Sequence, residues 1–371
     1  MKKIAFYIKQ YIKMALQSVI LPVVYRYYRQ RPLNKRLVIF ADGHTDGMPG
    51  SMQFMYRAVR ALGFETMCFC YDFKKLSFMK TLHVICSFMK NYAQAGTVFI
   101  CDYYLPVSSC KKRHETQVVQ LWHACGAFKK FGYDSPEDIP TFYKNNPLRN
   151  CTLVTVSSPL CESIYSGAMH LPANVVQATG VSRTDMYFNE DYKNKCKKTF
   201  FDAYPKARGK KILLWAPTFR GNAGDPKTLG LDTVLELPKK LGNDWYVIIK
   251  LHPHQEKILH KSNCDIATEE LLPVVDVLMT DYSSVIFDAM LLKVPVVLFA
   301  PDSRDYTKQR GFYLNYQSIP AVHVRDAVEL PYAVKSAVTG AMDNTMFISQ
   351  YAGSCDGHAT ERILKLLYSR R

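Results

Sequence analysis

Short polar clusters that follow apolar runs contain the residues best suited to chemistry in this chain. In open α/β sheets, ligands bind beyond the carboxyl ends of the strands, where loops supply the reactive groups and the sheet holds them in place. The clusters together offer imidazoles, cations and hydroxyls, a set that would suit a diphosphate substrate. These candidates are His123, Thr218, Arg220, Lys250, His252, Ser283 and Ser284.

The cluster at 280–284 carries the strongest single signal. An apolar run at 275–279 leads into Asp-Tyr-Ser-Ser and then into an amphipathic helical pattern. The hydroxyls of Ser283 and Ser284 either cap this helix or bind an anion at its amino end. Asp288 lies about one turn into the helix, where it either accepts from ribose hydroxyls or orients Ser284.

Two histidines are candidates for acid–base and phosphate chemistry. Imidazole titrates near neutral pH, so His123 suits a general base that activates a hydroxyl nucleophile, although it could instead only hold its loop. His252 precedes a proline and is therefore held in extended geometry, which suits a fixed donor to a phosphate oxygen. A further histidine, His44, follows Asp42 in a polar turn at 42–47.

Apolar runs alternate with helical patterns along most of the chain, which predicts two doubly wound α/β domains. A basic, polar stretch at 187–208 separates the two series. The first series of predicted strands lies near 37–40, 66–70, 98–101, 118–122, 153–156 and 175–178. The second lies near 212–215, 246–250, 275–279 and 296–299.

The first 36 residues differ from the rest and predict a basic amphipathic helix. Ile4, Ile8 and Leu16 fall on one side of a helical wheel, lysines fall on the other, and Pro22 is expected to interrupt the helix. The apolar run is shorter than a membrane span and has no signal-peptide cleavage pattern. The favoured interpretation is a helix at a membrane interface, and the alternatives are a helix packed on its own domain or a nucleic-acid contact.

Composition narrows the class of protein. The formal net charge of +16 favours an anionic partner. The eleven cysteines, an odd number without a secretory signal, favour a reducing cytosol, and they show no paired spacing for zinc. Cys125 lies two residues after His123, so a cysteine nucleophile is a further alternative. The sequence contains no pattern for a metal cage and requires no cofactor, so any Mg²⁺ would arrive on substrate phosphates.

Five motifs together resemble the CDP-glycerol glycerophosphotransferases, the primases and polymerases of wall teichoic acid synthesis. The family's usual His-Gly-Thr-Pro-Leu-Lys is replaced here by His-Ala-Cys-Gly-Ala-Phe-Lys, which leaves the donor or acceptor subtype open. The motifs are His-Ala-Cys-Gly-Ala-Phe-Lys-Lys at 123–130, Ala-Pro-Thr-Phe-Arg at 216–220, His-Pro at 252–253, Thr-Asp-Tyr-Ser-Ser-Val-Ile-Phe-Asp at 280–288 and Arg-Gly-Phe-Tyr at 310–313.

The resemblance implies a GT-B fold, in which two Rossmann-like domains face a cleft. It divides the chain into a membrane-associating helix at 1–36, an acceptor-binding domain at 37–205 and a CDP-alditol-binding domain at 206–371. It implies transfer of glycerol phosphate from CDP-glycerol to a lipid-linked saccharide or polyol-phosphate acceptor, with release of CMP. The enzyme would lie peripherally on the cytoplasmic face of an anionic membrane.

The same resemblance assigns roles to individual residues. His123 and His252 are expected to be catalytic, and Asp42, His44 and Lys129 to lie on the acceptor side. The expected donor and phosphate ligands are Thr218, Arg220, Lys250, Ser283, Ser284, Asp288, Arg310 and Gly311. As a transferase, the protein is expected to have no nucleic-acid partner. Alternatives are ribitol-phosphate transfer from CDP-ribitol, sugar transfer on the same fold, and a basic nucleic-acid-binding protein.

Overall fold

The computed structural model describes residues 11–12, 14–135, 138–139, 146–218, 220–222, 225–251, 255–256, 259–340 and 342–369, with backbone alone at 221–222, 225–227 and 307–309. The chain forms two compact units. The first comprises Met1–His123, Gly132–Asp185 and His358–Arg371, and the second comprises Ala124–Phe131 and Met186–Gly357.

A six-stranded parallel sheet forms the centre of the first unit. Its strands are β1 Asn34–Asp42, β2 Glu65–Cys70, β3 Ala95–Ile100, β4 Gln117–Gln120, β5 Leu153–Thr155 and β6 Val176–Gln177. They lie in the order β2-β1-β3-β4-β5-β6. The order reverses between β1 and β3, which makes this the switch point where ligands bind in such sheets. Its helices are Leu21–Tyr28, Gly50–Ala61, Phe78–Tyr92, Leu105–Ser108, Pro159–Met169 and Ala359–Tyr368.

The last helix, Ala359–Tyr368, packs into the core of the first unit. Ile363 and Leu367 are buried there against residues of β1 and β3. The carboxylate of Asp185 accepts the first backbone N–H groups of the helix, from Ala359 at 3.0 Å and from Thr360 at 2.7 Å. The helix therefore belongs to the first unit and not, as predicted, to the domain at 206–371. The reason is that its amphipathic face is buried against the earlier part of the chain.

The amino-terminal helix is continuous through Pro22, so the predicted interruption is wrong. A π-helical turn, Leu16–Ile20, leads directly into the helix Leu21–Tyr28, in which Pro22 is the second residue. Leu21 and Tyr25 are buried against the first unit, and the Tyr25 hydroxyl accepts the backbone N–H of Arg113 at 2.8 Å. Residues 1–10 and 13 of the predicted amphipathic helix lie outside the described residues.

The second unit is built on a five-stranded parallel sheet. Its strands are β7 Lys211–Trp215, β10 Trp245–Ile249, β11 Val277–Thr280, β12 Val296–Phe299 and β13 Val322–Val324, with a separate antiparallel pair of β8 Arg220–Asn222 and β9 Asp225–Lys227. The parallel strands lie in the order β10-β7-β11-β12-β13, with the switch point between β7 and β11. Its helices are Glu190–Ala203, Leu231–Leu241, Thr268–Leu271, Val285–Leu291, Ser303–Arg310, Leu330–Thr339 and Thr345–Ala352.

Short 3₁₀ turns occur in both units, at Gly132–Asp134, Ala173–Val175, Ser182–Phe188, Pro205–Ala207, Tyr316–Ser318 and Ala327–Glu329.

Two parallel-sheet α/β units are therefore confirmed, and their facing arrangement stays a prediction. The division falls after Asp185 rather than after residue 205, and Ala124–Phe131 groups with the second unit. The short β13 was not predicted, because three residues give too little periodicity to recognise. None of the helices in the described part of the chain is long and apolar enough to cross a membrane.

Candidate active site

Four polar residues meet at the switch point of the first unit. Asp42 ends β1, Asp102 follows β3 and His123 follows β4, and these three strands are neighbours in the sheet. Nδ1 of His44 lies 3.4 Å from Oδ1 of Asp42 and 3.9 Å from Oδ2 of Asp102. Nδ1 of His123 lies 3.6 Å from the same Asp102 oxygen. The predicted group of Asp42, His44 and His123 is thus joined by a carboxylate that the sequence did not single out.

Asp42 is a buried anion held by its own loop. Its Oδ2 accepts the backbone N–H groups of His44 and Thr45, at 2.9 and 2.8 Å, and the Thr45 hydroxyl at 2.9 Å. Burial alone would raise the pKa of Asp42, but the hydrogen bonds from His44 and Thr45 outweigh it and lower that pKa to about 2. The hydrogen bond to Asp42 in turn raises the pKa of His44, so a cationic imidazole is favoured there.

The backbone around His123 is held in an unusual conformation. Trp122 has a φ of 55°, which is uncommon for a bulky residue, and its N–H donates to Oε1 of the buried Gln120 at 3.0 Å. The Trp122 indole stacks on the His123 ring with centroids 4.6 Å apart. His123 itself remains half exposed, with 51% of its side chain accessible. A strained turn therefore presents a supported and half-exposed imidazole.

A buried carboxylate organises the switch point of the second unit. Oδ1 of Asp281, after β11, accepts the backbone N–H of Thr218 at 2.8 Å and that of Tyr282 at 2.6 Å. Its Oδ2 lies 3.0 Å from Nη1 of Arg220. Asp281 is 4% exposed, so this anion is fully enclosed and paired. The sequence motif contains Asp281, but only the structure shows that it fixes the loop after β7.

Arg220 is committed to carboxylates within its own unit. Its Nε donates to Oδ2 of Asp302 at 2.6 Å and its Nη2 to Oδ1 of the same residue at 3.0 Å. The guanidinium lies 4.8 Å from the ring centroids of both Tyr282 and Tyr306. Burial alone would lower the pKa of Arg220, but Asp302 and Asp281 raise it above its usual value. Arg220 therefore has a structural alternative to the predicted role of phosphate ligand.

The predicted anion-binding turn has a mixed outcome. Ser283 and Ser284 are partly exposed at the start of the helix Val285–Leu291, and the Ser283 hydroxyl accepts the N–H of Val285 at 3.4 Å. Ser284 is in helical conformation and makes no side-chain cap. Asp288 is 2% exposed, which favours its structural interpretation over contact with a ribose. Because both serine side chains are partly accessible, they remain candidates for binding the diphosphate.

The remaining predicted cations lie in different surroundings. Lys250, after β10, donates from Nζ to the carbonyl of Cys264 at 2.9 Å. His252 lies outside the described residues, so its catalytic role stays a prediction. No group of three or more metal-binding side chains occurs among the residues that the structure describes.

The motif after His123 pairs with the Arg-Gly-Phe-Tyr motif inside the second unit. Lys129 and Phe312 form an antiparallel bridge, and the N–H of Lys130 donates to the carbonyl of Gly311 at 3.1 Å. Nε of Arg310 donates to the carbonyl of Lys130 at 3.1 Å. The structure thus places Lys129 beside Arg310 and Gly311, in the second unit rather than in the first domain where it was predicted.

The same segment explains two further residues of its motif. Gly126 has a φ of 69°, and a Cβ there would lie 2.3 Å from the Phe287 ring, so only glycine fits. Cys125 is fully buried, with its sulfur 3.8 Å from that of Cys355. A fully buried sulfur is out of reach of a substrate, which disfavours the alternative of a cysteine nucleophile.

Comparison with known proteins identifies similar sequences along most of the chain. The model of the CDP-glycerol:poly(glycerophosphate) glycerophosphotransferase family matches residues 23–369. Teichoic acid ribitol-phosphate primase from Bacillus spizizenii is 34% identical, over 78% of each chain. Teichoic acid glycerol-phosphate primase from Bacillus subtilis is 30% identical, over 73% of each chain.

Longer relatives and a solved structure show the same likeness. The chain spans 59% of the teichoic acid poly(ribitol-phosphate) polymerase of Bacillus spizizenii, at 30% identity. A structure of the wall teichoic acid polymerase TagF superposes with a TM-score of 0.72 at 18% identity, over 100% of this chain and 97% of the other. At that identity the superposition shows that the fold is shared.

Proposed function

Because this chain belongs to the CDP-glycerol:poly(glycerophosphate) glycerophosphotransferase family, we propose that it transfers a polyol phosphate from a CDP-polyol to a hydroxyl of a teichoic acid acceptor. The acceptor oxygen attacks the β-phosphorus, the bond from that phosphorus to the bridging oxygen breaks, and CMP leaves. CDP-glycerol is the first candidate donor, because the family description names it and one similar TagF structure comes from a CDPG soak.

The half-exposed His123 beside Asp102 is the observation that carries this proposal. A neutral alcohol is a weak nucleophile, and a positioned imidazole can remove its proton as the new P–O bond forms. His44, held by Asp42, adds a favoured positive charge on the same side, where it would attract a phosphate of the acceptor. Lys129 is no longer an acceptor-side candidate, because it groups with the second unit.

The second unit supplies the proposed donor site. The hydroxyls of Ser283 and Ser284 and the charges of Arg310 and Lys250 are our candidate ligands for the diphosphate. The Asp281 network, with Thr218 and Arg220, would hold the loop in register rather than contact the substrate through the arginine. His252 is proposed as a phosphate donor on its sequence motif alone, and any Mg²⁺ would come with the substrate.

CDP-ribitol is the second candidate donor. The observation that favours it is the 34% identity to a ribitol-phosphate primase, which is above the 30% identity to a glycerol-phosphate primase. The two donors differ only in the length of the polyol, so the diphosphate site would be the same. The choice therefore depends on groups that contact the polyol end.

A direct assay tests the function and the choice of donor together. Purified protein would be incubated with a synthetic lipid-linked disaccharide, with and without a first glycerol phosphate, and with CDP-glycerol, CDP-ribitol or a UDP-sugar. Release of CMP and the mass of the lipid product report donor, acceptor and number of additions. Transfer from the UDP-sugar alone, or from none of the three, would refute the proposal.

We also propose that the amino-terminal helix lies on an anionic membrane surface. Gln17, Leu21 and Tyr25, four residues apart, are buried, whereas Val19 and Val23 are each 60% exposed on the other side. Tyr27 continues the exposed stripe at 64%, and exposed arginines at positions 26, 29 and 31 flank it. An apolar stripe bordered by basic residues fits a headgroup boundary, to which each cation near the surface adds about 1 kcal/mol.

Deleting this helix would also remove the buried side chains of Leu21 and Tyr25 from the first unit and so disturb its packing. Point substitutions on the exposed side are therefore the better test. Val19→Ser with Val23→Ser should reduce sedimentation with phosphatidylglycerol vesicles, and high salt should release the wild type. The matched control is Val328→Ser in the second unit, where the valine is 79% exposed. Equal vesicle binding by the double variant and the control would remove this surface from consideration.

A further inference from the structure

One carboxylate lies between the two histidines of the first unit. Oδ2 of Asp102 is 3.6 Å from Nδ1 of His123 and 3.9 Å from Nδ1 of His44. His44 has a nearer partner, because its Nδ1 is 3.4 Å from Asp42. The geometry therefore leaves Asp102 to act chiefly on His123, while His44 is held by Asp42.

The two oxygens of Asp102 have different surroundings. Oδ1 accepts the backbone N–H of the next residue, Tyr103, at 2.7 Å. Oδ2 is the oxygen that faces both imidazoles. A structural role and a chemical role are thus separated on one side chain, and substitutions can test them separately.

A buried amide fixes the relative position of Asp102 and His123. Nε2 of Gln120 donates to the carbonyl of Asp102 at 3.1 Å, and its Oε1 accepts the N–H of Trp122 at 3.0 Å. Gln120 has no exposed surface, and Trp122 is the residue with the left-handed backbone directly before His123. Strained backbone that is held by buried hydrogen bonds is characteristic of functional sites.

We infer that Asp102 is a positioning residue for the transfer reaction, holding Nδ1–H of His123 so that Nε2 takes the proton from the acceptor hydroxyl. This inference rests on the proposed function. As the acceptor oxygen bonds to the β-phosphorus and CMP departs with the electrons of the broken P–O bond, the hydroxyl proton passes to Nε2. Asp102 then faces an imidazolium and stabilises its charge. The separation of 3.6 Å would shorten when substrate orders the site.

The sharpest perturbation is Asp102→Asn. An asparagine can keep its carbonyl oxygen toward the N–H of Tyr103 and turn its amide NH₂ group toward the histidines. The amide then donates where the carboxylate accepted, which favours the His123 tautomer with its proton on Nε2, the wrong form for a base. We expect kcat to fall by about 10- to 100-fold with KM within about 2-fold of wild type. Asp102→Glu, which restores a carboxylate, should recover part of the loss.

A double-mutant cycle with His123→Ala distinguishes positioning from an independent effect. If Asp102 acts through His123, Asp102→Asn should lower kcat no further in the His123→Ala background. Asp343→Asn is the matched control, because Asp343 also accepts a backbone N–H, that of Thr345 at 2.9 Å, on an exposed turn of the second unit. Its turnover should equal that of wild type.

The possible outcomes separate the inference from the proposed function. A wild-type enzyme that transfers neither polyol phosphate refutes the function and this inference together. Active wild-type enzyme with a wild-type kcat in Asp102→Asn, or equal fractional losses from Asp102→Asn with and without His123, refutes the inference alone. Turnover is expressed per folded molecule from the melting transition. If Asp102→Asn does not fold, Asp102→Ser, which also lacks the carboxylate, takes its place, and a wild-type kcat in that variant decides against the inference.

Discussion

Replacing Arg220 with alanine should lower the stability of the second unit more than it lowers the affinity for the donor. The guanidinium is 15% exposed and pairs with Asp281, itself 5% exposed, and with Asp302, which is 22% exposed. Removing it leaves two partly or fully buried carboxylates without their cation. Breaking a buried ion pair from one side costs about 3–5 kcal/mol, because the remaining charge stays desolvated. The two tyrosine rings also lose their cation, which adds to the loss.

A surface arginine in the same unit provides the control. Arg208 pairs with Asp202 at 3.1 Å, but both side chains are more than half exposed, at 59% and 51%. Exposed pairs contribute about 0–1 kcal/mol, so Arg208→Ala should leave the melting temperature almost unchanged. For a unit of this size about 1 kcal/mol corresponds to roughly 2–4 °C, so Arg220→Ala should lower its transition by about 6–20 °C.

Calorimetry and donor titration together decide the role of Arg220. Thermal unfolding gives the stability loss, and titration with CDP-glycerol at a temperature where the variant is folded gives the affinity. We expect a large loss of stability with a smaller change in affinity. A variant as stable as Arg208→Ala, but unable to bind donor, would refute this reasoning and restore Arg220 as a direct phosphate ligand.

Three further predictions concern the other site residues. His123→Ala and His252→Ala should each reduce transfer by about 10²- to 10⁴-fold with little change in melting temperature, and wild-type turnover in either would remove that histidine from the mechanism. Ser283→Ala combined with Ser284→Ala should weaken CDP-glycerol binding in calorimetric titration, whereas unchanged affinity would make the turn purely structural. Because the folded pKa of Asp42 is about 2, below its unfolded value of about 3.9, this carboxylate adds stability above about pH 4, which is lost as pH falls toward 2. Asp42→Asn should therefore lower the free energy of unfolding by about 2 kcal/mol at pH 7 and leave it unchanged near pH 1. An equal loss at both pH values would contradict the link between the lowered pKa and stability.

The sheets were predictable because their signal is local and repeated. Buried parallel strands such as β1 and β7 are continuous apolar runs, and each is bounded by polar turns. The same logic placed Asp42 and His123 at strand ends. It did not single out Asp102, because one acidic residue after a strand has no motif around it. Its significance depends on β3 lying between β1 and β4, which is a property of the strand order.

The order of the motifs predicted the correct family. It also led to the assignment of the whole motif at 123–130 to one domain, whereas the structure divides that motif between the two units. His123 and Lys129 are six residues apart and were assigned to one domain, yet the chain passes from the first unit to the second directly after His123. The pairing of Lys129 with Phe312, and the glycine forced at position 126 by Phe287, are the physical reasons. A single motif can therefore serve two units: its histidine belongs to the proposed acid–base group, and the residues after it contact the end of the helix Ser303–Arg310 and the turn at Gly311. Substitutions at 124–130 should consequently be interpreted through the second unit, and only those at His123 through proton transfer.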